Sequence, residues 1–179
     1  MDYFSIDSIL NSSVKVPCFF KADVPGYGFL GGRDDTDILA ANTKVDLQFW
    51  AAEQLAINEL AELEVPKFFG RAVRNDLQAS SRTVDVRRLS PHFFGFGAKL
   101  IALIDDSDLA LTLMDSMTER LLAICEHTQS GPHNNPESQH LVHTLDDTER
   151  ELYRVGHESS VLKKRWSERG RERLHKSRF

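Results

Sequence analysis

Between Lys44 and Phe49 the chain reads Lys-Val-Asp-Leu-Gln-Phe, with polar and apolar residues in strict alternation. From Trp50 onward its apolar residues recur three and four apart. A two-residue period lays one face of a strand on a core, and a period near 3.6 does the same for a helix. A chain that changes period once builds a small sheet first and a helical body afterwards. The fold expected is α+β, mainly α: a small β-rich domain over 1–49, then an α-helical bundle over 50–179.

Before the switch, Asp2 to Leu10 reads as a short amphipathic helix with Phe4, Ile6, Ile9 and Leu10 apolar. Val16 to Val24 and Tyr27 to Leu30 lean towards strand, and Pro25-Gly26 between them is a turn signal, because proline presets φ and glycine accepts positive φ. Gly31 to Ala41, with paired glycines and three aspartates, reads as a mobile loop. After the switch, Ala51 to Leu63 is rich in strong helix formers. Pro66 opens a helix carrying Phe68, Phe69, Ala72, Val73 and Leu77. After Pro91, the residues Phe93, Phe96, Gly97, Leu100, Ile101 and Ile104 fall on one helical face. Asp105 to Asp108 supplies capping oxygens for a helix expected to bury Leu113, Met114, Met117, Leu121, Ile124 and Cys125. A break follows at HTQSGPHNNPES. Leu141, Leu145, Leu152, Val155, Leu162 and Trp166 then mark one final long helix.

Enzymatic chemistry finds little support in these residues. Gly95-Phe96-Gly97 begins like a dinucleotide fingerprint, but the sixth position is Leu100 and no strand leads into it. A Walker loop, a G-x-S-x-G elbow and an H-E-x-x-H pair do not occur in the sequence. Cys125, His127, His133, His140 and His143 have the right donor types for zinc, yet their spacing fits no common structural site, and the expectation is solvated loop histidines. The pairs Asp105-Asp106 and Asp146-Asp147 sit at helix starts, where capping explains them. The expectation is no catalytic residue, no metal and no cofactor. Cys18 and Cys125 both lie in apolar runs and are expected as buried free thiols of a reducing compartment. Neither a spanning helix nor a signal peptide is expected, since no apolar run approaches about 20 residues and the start is acidic.

The net charge of −5 hides an asymmetry. From Lys163 onward there are eight basic residues against Glu168 and Glu172, leaving 14 basic and 25 acidic residues before them. An acidic body is repelled by a phosphate backbone, so proteins are the natural partners. Lys163, Lys164, Arg165 and Arg169, with Trp166 among them, are the candidate nucleic-acid contacts of the alternative: a nucleic-acid-binding module acting through its basic tail. The competing reading of that tail is a helix end, where cations complement the dipole and Trp166 sits on the apolar stripe.

The blocks KVDLQFWAAEQLA, LEVPKFFGRAVRNDL, PHFFGFGAKL and LDDTERELYRVG, in this order, resemble the third-subunit family of the GINS complex (Partner of Sld five, third member). Val65-Pro66-Lys67 and Pro91 to Gly97 are the most specific of them. The resemblance implies a B domain followed by a helical A domain, and a non-catalytic subunit of a nuclear heterotetramer with three sister GINS subunits. It further implies association with the MCM helicase ring and a Cdc-forty-five-type protein at the replication fork, and indirectly with the replicative polymerase. DNA contact is expected to be weak or indirect, and membrane contact absent. Phe93, Phe94, Gly95, Phe96 and Gly97 are the expected packing seam, within the chain or between subunits. Leu47, Phe49 and Trp50 are expected to anchor the junction of the two domains.

Overall fold

The computed structural model describes residues 5–32, 37–130 and 136–176. The chain forms two compact units, Met1–Asp76 with Phe94–Leu113, and Leu77–Phe93 with Met114–Phe179.

In the first unit, α1 (Ile6–Ser12) leads into β1 (Lys15–Phe20), the central strand of an antiparallel sheet, flanked by β4 (Lys44–Gln48) and β5 (Ala61–Leu63). The alternating residues of β4 pair with β1 in the register Val16 to Leu47 and Cys18 to Val45. Val16, Cys18, Phe20 and Val45 are buried, as the two-residue period requires. Helix α2 (Phe49–Ile57) starts directly from β4 and lays Ala52 and Leu55 on Cys18 and Ala61. A second, two-stranded sheet pairs β2 (Val24–Pro25) with β3 (Ile38–Leu39). Gly26, at φ +84°, makes the expected turn and donates its N–H to the Asp37 carbonyl.

Three local expectations are corrected here. Tyr27 to Leu30 is not a strand: Gly28–Gly31 is a 3₁₀ turn, closed by Gly32 at φ +70°. The segment 31–41 is not all loop, since it contains β3; residues 33–36 lie outside the described residues. The helix expected from Ala51 to Leu63 ends at Ile57, where Glu59 turns the chain at φ +58°. Ala61–Leu63 then becomes edge strand β5, because Lys21 and Glu64 N–H groups complete a ladder with the Leu60 and Pro17 carbonyls. Pairing with β1 overrides the helix propensity of Ala, Glu and Leu.

The aromatic core of this unit gathers on α5 (Phe93–Ile101). Phe96 meets Phe49 edge-on at 5.2 Å and stacks on Phe69 at 5.9 Å, geometries that favour the ring quadrupoles. The helix expected after Pro66 is interrupted: Lys67–Phe69 is a 3₁₀ turn, Gly70 is extended, and α3 (Arg71–Ser80) begins afresh. Gly97 is needed for closeness, because a Cβ there would lie 2.7 Å from Leu113 Cδ1 and 3.1 Å from Phe69 Cζ. Asp106, ahead of α6 (Ser107–Ser130), caps it through the Leu109 N–H and takes a 2.7 Å hydrogen bond from Arg74. That arginine bond, more than any other influence, holds the Asp106 carboxyl below its usual range. The pair therefore stabilises the folded state above the ordinary carboxylate pKa, and its contribution disappears as pH falls through the lowered value.

The second unit is built around Arg120 of α6, a fully buried cation. Its Nε and Nη2 donate to the two Glu149 oxygens at 2.7 and 3.0 Å. Its Nη1 donates to the Ser81 and Val84 carbonyls and its Nη2 also to that of Thr144, so every N–H of the guanidinium has an acceptor. The final helix is also two helices, not one. α7 (Pro136–Thr144) stops, and α8 (Asp147–Lys176) starts at a reciprocal cap. Glu149 N–H donates to Asp146 Oδ1 at 2.8 Å, and Asp146 N–H donates to Glu149 Oε2 at 3.0 Å. Short helix α4 (Val86–Leu89) precedes Pro91, whose carbonyl accepts from Asp147 N–H. Ile124, Leu141, Leu145 and Tyr153 form the apolar core. Gly156 lets α8 approach α6, since a Cβ there would lie 3.2 Å from Thr128 Cγ2.

The expected pair of buried thiols is corrected: Cys18 is buried and Cys125 is exposed. Burial, reinforced by the charge of Asp46, pushes the Cys18 thiol up to about 11. At neutral pH iodoacetamide should therefore modify Cys125 alone in the folded chain, read by peptide mass mapping, and Cys18 only after denaturation. Replacing Arg120 with Met strands a buried carboxylate and should cost about 3–5 kcal/mol in chemical denaturation. Adding Glu149→Gln to that variant should recover part of the loss, and a single-variant cost near zero would contradict the buried-pair reading. Gly97→Val should cost about 1–3 kcal/mol by overpacking, with the same assay as the check.

Candidate functional site

The described surface carries apolar stripes with helical spacing, and these form the candidate site. On α6 within the second unit, Met114, Thr118, Leu122 and Cys125 recur at four, four and three residues, placing them on one face. Met114 is 68% and Leu122 56% exposed. Leu111, on the part of α6 that belongs to the first unit, is exposed as well. On α8, Leu152, Val155, Ser159, Leu162 and Trp166 recur at three and four residues, the spacing of a coiled-coil seam. All five are exposed, Trp166 at 75%.

Burial of Met114 and Cys125 is the expectation these exposures overturn. Amphipathic spacing correctly locates an apolar face, but the buried face of α8 is a neighbouring one. Glu149, Tyr153 and Gly156 turn inwards, because Arg120, Leu145 and Thr128 are what they meet. The stripe at 152, 155, 159, 162 and 166 is rotated away from that face and is left to solvent.

α1 is inverted in the same sense. Its polar side is the packed one: Lys99 Nζ donates to the Ser8 carbonyl at 2.7 Å and to Ser12 Oγ at 2.6 Å. A Cβ on Gly95 would lie 2.5 Å from the Asn11 side-chain nitrogen, so that glycine admits the helix. Ile6, Ile9 and Leu10 face outwards.

The residues singled out from the sequence distribute as follows. Phe93, Phe94 and Phe96 are buried, and Gly95 and Gly97 line close contacts with Asn11 and with Leu113 and Phe69. Phe49 is buried against Phe96, Leu47 packs beside the Cys18 and Phe20 clusters, and Trp50 is exposed, its indole N–H donating to Gln48 Oε1 at 2.6 Å. Lys163, Lys164, Arg165 and Arg169 all lie exposed on α8. His127 accepts or donates one hydrogen bond with Ser138, and His133 lies outside the described residues. Among the described residues no three His, Cys, Asp or Glu side chains converge as a metal site, and no helix is long and apolar enough to cross a membrane. Sequence reasoning passed over Leu122 and Arg120. Leu122 was legible as a member of the 114-118-122-125 row; a lone arginine in a helix carries no such signal.

Chemically this surface holds apolar knobs beside exposed cations and offers area for burial. Residues 4–57 match the PSF3 N-terminal domain, and residues 68–168 match the GINS complex protein helical bundle domain. The DNA replication complex GINS protein psf3 of Aspergillus fumigatus is 34% identical over 179 residues, covering 97% of this chain and 100% of that one. Its counterpart in Schizosaccharomyces pombe is 34% identical over 157 residues, with 88% and 92% covered. The Xenopus laevis protein PSF3 is 29% identical over 174 residues, with 95% and 81% covered. On the strength of both domain matches and these full-length likenesses, the chain belongs to the PSF3 family of GINS complex proteins.

Proposed function

We propose that this chain acts in DNA replication as a non-catalytic structural subunit of a GINS heterotetramer, supporting assembly and activity of the replicative helicase. One observation carries the reading: the α6 stripe of Met114, Leu122 and Cys125 is exposed on a chain whose relatives are named as members of a complex. Exposed leucine and methionine in register on one helix are what a subunit covers on assembly. Its direct partners are then the three sister GINS subunits. The MCM ring and a Cdc-forty-five-type protein belong to the larger nuclear assembly, with the polymerase reached indirectly and DNA contacted weakly or through partners.

In this reading Phe93, Phe94, Gly95, Phe96 and Gly97 act as an internal seam that keeps the outward stripes in place. We retain the division into a B domain over 1–49 and an A domain over 50–179, with Leu47, Phe49 and Trp50 at the junction. The two family matches likewise divide the chain into an N-terminal and a helical part, although they part between residues 57 and 68, beyond that boundary.

The experiment is co-expression of the chain with the three presumed sister subunits. Met114→Asp with Leu122→Asp should leave the chain folded, because both side chains are exposed, yet abolish co-purification. Central interface anchors are worth about 2 kcal/mol or more each, so the pair should weaken assembly by well over a hundredfold. Recovery of the tetramer at wild-type yield would overturn the proposal. Charges at Phe94 or Phe96 are the poorer probe, since both are buried and the variant reads folding.

A further inference from the structure

We propose that the groove between the C-terminal turns of α6 and the middle of α8 is a docking site for an acidic amphipathic helix of a partner protein. The groove encloses ≈ 500 Å³ and is lined by Cys125, Thr128 and Gln129 on α6 and by Ser160, Lys163 and Lys164 on α8. Its lining includes Gly156, where a Cβ would lie 3.2 Å from Thr128 Cγ2. Among the described residues no carboxylate lines it. Its walls present hydroxyls, an amide and two ammonium groups, the donors that carboxylates accept from.

The two halves of α8 treat their cations differently. Arg154 is neutralised by Glu151 at 2.5 Å and by Glu158 at 2.8 Å. Lys163 and Lys164 make no ion pair with any described residue, although both are exposed. Beside these free charges runs the seam of Ser159, Leu162 and Trp166, and Ser159 lines the groove as well as the seam. An occupant satisfying both features has apolar side chains at three- and four-residue spacing and carboxylates flanking them. That is an acidic amphipathic helix.

Nucleic acid fits the same residues less well. A phosphate backbone pairs with the lysines but leaves Leu162 and Val155 wet. Lysine also offers point charges without the bidentate fork that marks specific phosphate or base recognition. The proposal goes beyond assembly through the α6 stripe, with which the groove shares Cys125, and is tested apart from it.

The test uses the purified full chain and a synthetic helix-forming peptide with Leu at three- and four-residue spacing and Glu at the flanking positions. Binding is read by fluorescence anisotropy, and its location by protection of Cys125 from iodoacetamide. The Leu/Glu peptide should bind and slow Cys125 alkylation. Lys163→Glu with Lys164→Glu should weaken binding on the order of tenfold. Lys163→Gln with Lys164→Gln should fall between, and an unchanged circular-dichroism melt shows that both variants fold. Equal binding of a Leu/Lys peptide, indifference to both lysine variants, or no protection of Cys125 would overturn the proposal. Tighter binding of oligo(dT) than of the Leu/Glu peptide would overturn it in favour of a nucleic-acid site. Met114→Asp with Leu122→Asp separates the two readings, for it should abolish co-purification while leaving peptide binding intact.

Discussion

The buried pair of Arg120 and Glu149 sets the geometry of the second unit. A guanidinium removed from water is expensive unless every donor is met, and here two carboxylate oxygens and three main-chain carbonyls meet them. Those acceptors come from α8, from the turn at Ser81 to Val84 and from the end of α7, so one side chain locks three segments to α6. Lysine has neither the fork nor the number of donors to replace it. Such a pair adds little net stability over an apolar substitute, yet it penalises every other arrangement of the segments it joins. Glu149 also closes the cap with Asp146, which fixes where α8 begins and how it is rotated.

That rotation decides the surface. With Glu149 inwards, residues four and seven further on, Tyr153 and Gly156, follow it to the packed face. Leu152, Val155, Leu162 and Trp166 are then carried outwards whatever their hydrophobicity. Lone exposed leucines are ordinary, but a row in coiled-coil register is not, and it marks a surface meant for covering. The same logic applies to α1. Lys99 claims its serines, so Ile6, Ile9 and Leu10 turn to solvent.

Much of the fold was legible in the residues, and what was not has physical reasons. The alternation in Lys44 to Phe49, the Pro25-Gly26 turn, the helix after Pro91 and the cap at Asp106 are local signals with local causes. β5 was not legible, because three residues of Ala-Glu-Leu become a strand only when β1 supplies a ladder. The break between α7 and α8 was hidden because Leu141, Leu145 and Leu152 keep helical spacing across it. At the candidate site the limit is of another kind. Periodicity shows that a helix has an apolar face, but it cannot show whether that face is covered from within the chain. Arg120 was invisible for the opposite reason, since a charged residue at a helical position reads as solvated until its five donors are counted.

The basic end of α8 is where the coordinates change the meaning of a sequence feature most. A cation cluster at a helix end is ordinarily explained by the macrodipole, whose influence is confined to the last turn. α8 continues to Lys176, thirteen residues past Lys163, which is more than three turns. The dipole therefore does not account for Lys163 and Lys164. Among the described residues of this helix the intrahelical ion pairs are those of Glu151 and Glu158 with Arg154, so pairing of that kind does not account for them either. Two ammonium groups with no ion pair among the described residues, beside a groove of hydroxyls and a leucine–tryptophan seam, are the feature that the proposed acidic helix would complement.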